Sequence, residues 1–510
     1  MVDTIVILDF GSQYTLLISR RLRELSVYSE ILPYNAPIEK IKQLDTKGII
    51  LSGSPYSVYQ KDAPKPDDGI FKIGVPILGI CYGMQYVTQK FGGKVQKSKQ
   101  REYGRAEIKI DPISPLFDGM EHTHRHTVWM SHSDRIEEVP EGFSVIASSA
   151  NSPIAGFQNQ SKQIIGLQFH PEVSHTEEGI KILNNFARHC NVTGKWDIGA
   201  FVENSVIDIK NRIGNDSVIG AISGGVDSTV AAFITYRAIG DKLKLVFINN
   251  GLLRENEPEE VFNTLTNMGL NVKYVDASDM FLKKLKGVVE PEKKRKIIGK
   301  SFIDVFEKQI TDKHIKWLLQ GTLYPDVIES NPHIGPSQVI KSHHNVGGLP
   351  KKMHLKVLEP FRLLFKDEVR KIGRLIHVPE YILNRQPFPG PGLSIRVIGE
   401  IKKERLNMLK KADSIVREEI GKYQISQDLW QYFAVLLPVR TVGIMGDERT
   451  YEHVIAIRAV KSEDGMTADW ARLPYELMDR LSSRIIGEVN GINRVVYDIS
   501  SKPPGTIEWE

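Results

Sequence analysis

Two short constellations in this 510-residue sequence are built from residues that could do chemistry. The first is Gly79-Ile-Cys81-Tyr-Gly83, which follows the apolar run 75–78 and precedes a helix-like stretch at 84–91. A cysteine between two glycines at a strand-to-helix turn is the thiol form of a nucleophile elbow, because the glycines allow a turn tight enough to expose the side chain. A helix start also favours thiolate over thiol. A free cysteine alone is more often a small buried hydrophobe. A nucleophile needs a base, however, and the base needs a carboxylate to orient it. Ile164-Ile-Gly-Leu-Gln-Phe169 runs straight into His170-Pro-Glu172, so an imidazole and a carboxylate project together at a stiffened strand end. Strand ends are where α/β folds carry their sites. The turn Ser52-Gly53-Ser54-Pro55, after the apolar run 48–51, can offer backbone amides to a developing oxyanion.

The second constellation is Ser223-Gly224-Gly225-Val226-Asp227-Ser228-Thr229, between a strand-like run at 217–222 and a helix-like run at 230–236. Amides of a glycine-rich turn opening a helix cradle an anion, and Ser223, Ser228 and Thr229 add hydroxyl donors. Asp227 fits such a cradle only if a Mg²⁺ ion stands between it and the phosphates. Gly299-Lys300-Ser301 has the ending of a Walker A loop, but the glycine required five residues earlier is Lys294. The segment starting at Gly220 also lacks dinucleotide-loop spacing.

The elements that must position these residues alternate through most of the chain as short apolar runs and amphipathic stretches. That pattern belongs to α/β domains with mainly parallel sheets. Residues 4–8, 48–51, 76–80 and 164–169 read as buried strands, and 14–24 and 84–91 as helices. The pattern restarts near 196, with a helix at 202–212 and strands at 217–222 and 245–248. The breaker-rich Arg385-Gln386-Pro-Phe-Pro-Gly-Pro-Gly392 ends it. A helix at 404–420 and strands around 434–442 and 453–459 follow. The expected architecture is two doubly wound, mainly parallel α/β domains at 1–195 and 196–385, then a smaller α+β domain at 386–510. Residues 283–300 carry eight basic side chains and are expected to form a lid over phosphates.

Lys plus Arg number 67 against 62 for Asp plus Glu, an excess too small to argue for a nucleic-acid partner. Two cysteines exclude a disulfide framework and point to a reducing compartment. The first residues carry Asp3 and Asp9 and read as a strand rather than a signal peptide, and no run approaches the ~18 apolar residues of a membrane span. A soluble, cytoplasmic protein is expected.

The elbow and the His-Pro-Glu, about 90 residues apart, resemble the class I (triad) glutamine amidotransferases over roughly residues 1–195. That resemblance implies that Cys81 attacks the glutamine amide, His170 moves the proton and Glu172 orients His170. It also implies that Gly53 and Ser54 face the oxyanion and that Gln85, Ser131 and His132 contact glutamine. The Ser223–Thr229 loop resembles that of the N-type ATP pyrophosphatases, which implies ATP and Mg²⁺, with Asp227 on the metal. The whole chain resembles the glutamine-hydrolysing GMP synthase family, also through residues 291–299, 321–329, 343–348, 386–392, 442–447 and 502–510. This implies ATP-dependent amination of xanthosine monophosphate through an adenylated intermediate, with Arg254, Lys502, Ile507 and Glu508 on the nucleotide. It implies a homodimer formed through residues 386–510, with no nucleic-acid or membrane partner. Other amidases with this loop fit less well. Asparagine synthase-like enzymes start with a catalytic cysteine where Val2 stands here. The glutamine-dependent NAD synthetases use a nitrilase-type glutaminase.

Overall fold

The apolar runs form the inner strands of two sheets. The computed structural model describes residues 2–192, 194, 196–329, 354–445, 448–462 and 467–510. The expected motif at 343–348 and the end of the one at 442–447 lie outside them. The chain divides into two compact units. Among the described residues, the first comprises those of 2–200 with 323–329 and 363–365, and the second holds the remainder.

Among the described residues of the first unit, nine strands form one sheet. They are β1 (Thr4–Asp9), β2 (Tyr28–Pro33), β3 (Thr46–Leu51), β4 (Ile77–Ile80), β5 (Lys94–Ile110), β6 (His126–Glu138), β7 (Ser144–Ser149), β8 (Gly156–Asn159) and β9 (Ile164–Leu167). Their order is β2-β1-β3-β4-β9-β8-β7-β5-β6. β1 is buried along its whole length, as expected of a central strand covered on both faces. The pairs from β2 through β9 are parallel and those beyond β9 antiparallel. Helices α1 (Thr15–Glu24), α2 (Tyr82–Lys90) and α3 (Gly179–His189) follow β1, β4 and β9. Tyr324 and Phe365, distant in sequence, pack edge to face in this unit's core.

The second unit carries a five-stranded parallel sheet, ordered β12-β11-β10-β13-β14 among the described residues. Its strands are β10 (Ser217–Ala221), β11 (Leu243–Asn249), β12 (Val272–Asp276), β13 (Ile315–Leu319) and β14 (Lys356–Leu358). Helices α4 (Val226–Ile239), α5 (Pro291–Glu307), α6 (Lys366–Leu375) and α7 (Lys403–Gly421) belong to this unit. A second sheet is dominated by an antiparallel ribbon of β15 (Gln431–Met445) and β16 (Glu448–Lys461). β17 (Asp469–Trp470) pairs antiparallel with β16, and β18 (Ile492–Tyr497) pairs parallel with it. One continuous apolar core joins both sheets of this unit, from Val246 and Phe281 to Leu477 and Ile485.

Candidate active sites

Cys81 sits between β4 and α2 with φ +54° and ψ −105°, a conformation L side chains rarely adopt. The flanking glycines are required there. A Cβ on Gly83 would lie 2.3 Å from the Leu51 carbonyl oxygen, and one on Gly79 2.7 Å from the Gly83 backbone. The strain is held by the fold, since Cys81 N–H donates to Leu167 O and Gly83 N–H to Ser52 O. His170 follows β9, its N–H donating to Trp129 O on β6. Its ring Nδ1 lies 2.7 Å from Glu172 Oε1, and both side chains are buried. Burial disfavours a charged imidazole, but the Glu172 carboxylate and Cys81 beside it outweigh that. The His170 pKa stands well above its ordinary value. Such a ring can take a proton from a thiol and keep it as imidazolium.

Gly53 belongs to the same site, because a Cβ there would lie 3.4 Å from His170 Cε1 and 3.2 Å from Ser12 Oγ. Ser54 caps the next turn, accepting from Tyr56 N–H at 3.2 Å. Ser131 presents its backbone carbonyl to Cys81 Sγ at 3.7 Å. Gln85 and His132 are buried, and their polar groups turn to internal partners. Three neighbours escape a reading based on sequence. Tyr14 packs edge-on to His170 at 4.9 Å, Gln168 Nε2 lies 3.7 Å from Cys81 Sγ, and Glu102 reaches His132. The one sequence signal for Gln168 is a polar residue inside an apolar strand.

In the second unit, Ser223, Gly224 and Gly225 form the turn from β10 into α4. Gly224 has φ +72°, and a Cβ there would lie 2.5 Å from Val261. Arg385 donates to the Gly224 carbonyl at 2.8 Å, and the Gly225 N–H turns to Ser223 Oγ at 3.4 Å. Ser228 Oγ donates to Gly225 O at 3.1 Å and lies 3.3 Å from Ser223 Oγ. Val226 and Thr229 are buried in the first turn of α4. Asp227, the loop's single carboxylate, has Lys366 Nζ 3.7 Å from its Oδ2. One carboxylate among hydroxyls at a phosphate cradle suits Mg²⁺, which takes a ligand or two from protein and the rest from phosphate and water.

A cleft of about 930 Å³ runs from Gly224 past Glu257 and Arg385 to Arg254, Arg417 and Tyr432. Arg254 is buried beneath the Phe388 ring, with Nε 3.5 Å from Asp413. Burial lowers its pKa to about 10, against the pull of Asp413. Asp413 also faces Arg396 at 3.9 Å. Arg396, wholly buried, holds Glu508 with two hydrogen bonds of 2.8 and 3.1 Å. The structure thus brings Arg254 and Glu508 into one charge network, which Gln431 joins by a 2.9 Å bond to Glu508. Ile507 packs on Phe433 and Val435 nearby. Lys502 is fixed by backbone hydrogen bonds to Ala468.

The basic stretch departs from expectation at one residue. Much of it is helical, and Lys294 on α5 is fully buried, donating to Ser394 O, Val397 O and the Glu510 carboxylate. Lys294 therefore acts as an internal tether for the chain's last residue, and not as an exposed phosphate-facing charge.

With this geometry in hand, comparisons with known proteins add three family matches. Glutamine amidotransferase class-I covers residues 6–190, NAD synthase covers 198–300, and GMP synthase C terminal domain covers 418–509. The chain is 57% identical to GMP synthase [glutamine-hydrolyzing] of Aquifex aeolicus (strain VF5) over 508 residues, with 99% of each chain covered. It is 56% identical to the protein of the same name from Pelodictyon phaeoclathratiforme, with 100% of each covered. For the protein of that name from Chlorobium chlorochromatii the identity is 55%, again over 100% of each.

Proposed function

This chain belongs to the family of glutamine-hydrolysing GMP synthases, and on that premise we propose how its two sites share the work. The enzyme makes GMP from xanthosine monophosphate, with ATP as driving force and glutamine as nitrogen source. In the first site the Cys81 sulfur attacks the side-chain amide carbon of glutamine while His170 takes the thiol proton. His170 returns that proton to the leaving nitrogen, and ammonia departs from a glutamyl thioester. Water, deprotonated by the same imidazole, then releases glutamate. Glu172 holds the ring's orientation and stabilises its charge, and the Gly53–Ser54 turn donates to the oxyanion.

In the second site the amides and hydroxyls of Ser223–Thr229 hold the triphosphate. The oxygen on carbon two of xanthosine monophosphate attacks the α-phosphorus and pyrophosphate leaves. Ammonia then displaces AMP from carbon two, giving GMP. Arg254, Lys502, Ile507 and Glu508 hold the nucleotide. Asp227 would hold Mg²⁺, which would neutralise charge at the phosphates. The working boundaries are 1–195 for the glutaminase, 196–385 for the pyrophosphatase and 386–510 for the last domain, in a cytoplasmic enzyme.

The observation that carries this reading is the pairing of two sites in one chain. One is a strained thiol elbow backed by a His–Glu pair, and the other is a phosphate loop opening onto a cleft that ends at Arg254. The test is pyrophosphate release. It is expected with xanthosine monophosphate and absent with deamido-NAD, aspartate or tRNA. Release with one of those three and none with xanthosine monophosphate overturns the assignment.

The active form is a homodimer joined through residues 386–510. What supports this is the β15–β16 ribbon, where Val439, Val442, Ile444 and Tyr451 are 46–78% exposed. Apolar side chains gathered on one ribbon favour a second copy over water, and a two-fold axis buries such a patch twice. Sedimentation at micromolar concentration should give a dimer for the full chain and a monomer when exposed Val442 and Ile444 are both replaced by Asp. A monomeric full chain, or a dimer that survives Val442→Asp with Ile444→Asp, refutes the proposal.

A further inference from the structure

A buried chain of polar groups leads away from Cys81 and ends on a residue the reaction has not used. Gln168 Nε2 faces the Cys81 sulfur at 3.7 Å. Its Oε1 accepts from Gln85 Nε2 at 3.3 Å, which fixes the amide with its hydrogens toward sulfur. Gln85 spends its second N–H on the Asp134 carbonyl, at 3.0 Å. That carbonyl also faces His132 Nδ1, at 3.0 Å. A carbonyl can only accept, so Nδ1 carries a hydrogen. The other ring nitrogen of His132 lies 3.1 Å from Glu102 Oε2. Glu102 accepts from the hydroxyls of Ser152 at 2.6 Å and Ser149 at 3.3 Å.

Every side chain from Gln168 to Glu102 is nine-tenths or more buried. Burial alone would raise the Glu102 pKa, but His132 and Ser152 outweigh it and hold the carboxyl below its ordinary value. The Glu102 carboxylate at Nε2 and the Asp134 carbonyl at Nδ1 thus hold the His132 ring at both nitrogens. The same stretch of β6 carries the Ser131 carbonyl that faces the sulfur from its other contact.

We propose that Glu102 is a positioning residue of the glutamine-hydrolysing site: by fixing His132 on the Asp134 carbonyl, it sets the Gln85 and Gln168 amides and so the hydrogen-bonding environment of the Cys81 sulfur. The inference rests on Cys81 being the nucleophile, which a Cys81→Ala variant tests independently. If that variant still hydrolyses glutamine, the nucleophile assignment fails whatever Glu102 does.

The experiment is a mutant cycle in the full chain with saturating ATP and xanthosine monophosphate, following glutamine hydrolysis and, separately, synthesis from added ammonia. Glu102→Ala lowers kcat for glutamine about thirtyfold, with KM changed less than about threefold and ammonia-dependent synthesis retained. Gln168→Ala lowers it about a hundredfold, and the double variant no further, because a broken chain cannot be broken twice. Glu102→Gln restores kcat to within about threefold, since its amide keeps the shape, its oxygen accepts from the Ser149 hydroxyl, and its nitrogen donates to Nε2 and to the Ser152 oxygen. The proposal is overturned if Glu102→Ala hydrolyses glutamine at the parent rate or also loses ammonia-dependent synthesis. It is equally overturned if the two losses multiply, or if Glu102→Gln is as slow as Glu102→Ala.

Discussion

Replacing Cys81 with alanine lowers glutamine-dependent GMP synthesis by at least about 10³-fold and leaves synthesis from added ammonia within about twofold of the parent rate. The size of the loss follows from the nucleophile's role: without sulfur no covalent bond to the amide carbon can form, and His170 has nothing to deprotonate. The selectivity follows from placement. Cys81 lies in the first unit, while the phosphate loop and the Arg254 cleft lie in the second. Folding should survive. Alanine keeps the Cβ of cysteine, so the backbone at φ +54° is no more strained than before. The His170–Glu172 pair keeps its 2.7 Å contact without help from sulfur. Paired rate measurements with glutamine and with ammonium decide it. A folded variant that has lost both activities would mean that Cys81 serves the synthetase site, and the two-site reading would fall.

The thiol elbow and the glycine-rich turn into α4 were legible because each is written in five to seven consecutive residues whose types have a local geometric cause. Gly79 and Gly83 stand where any Cβ would collide with backbone, and Gly224 stands at positive φ. What stayed hidden depends on partners distant in sequence. Nothing near Lys294 distinguishes it from the other lysines of its basic run, yet it alone of that run is fully buried, and its carboxylate partner is Glu510. Arg396 and Glu508 meet across 112 residues. Glu102 lies on β5, a strand too polar to announce itself, and only the antiparallel register that pairs it with His132 reveals its place. The same limit applies to domain boundaries. Tyr324 follows the sequence of the second unit but packs in the first unit's core, a placement that tertiary contact decides and local pattern does not.

Asp227→Ala is expected to lower pyrophosphate release about 10²–10³-fold with either glutamine or ammonia as nitrogen source. The direction of this prediction is its main content. A carboxylate at the mouth of an anion cradle repels phosphate, so if no cation bridged them, removing it would strengthen ATP binding. Losing it would also release Lys366, now 3.7 Å from Asp227 Oδ2, to face the triphosphate as a further positive charge. Simple electrostatics of the protein alone therefore predicts tighter ATP binding in the variant. A loop built to hold Mg²⁺ predicts weaker binding, partly recovered by excess Mg²⁺. Structural collapse is not expected to confuse the result. Asp227 lies in the first turn of α4, where an acidic side chain contributes only about 0.3–1 kcal/mol through the helix dipole. Cys81, His170 and Glu172 belong to the other unit, so glutamine hydrolysis should persist at a basal level. The deciding measurement is pyrophosphate release against ATP concentration at several Mg²⁺ concentrations. Unchanged release, or a lower ATP requirement that ignores Mg²⁺, would remove Asp227 from the metal and leave the loop a purely backbone and hydroxyl cradle.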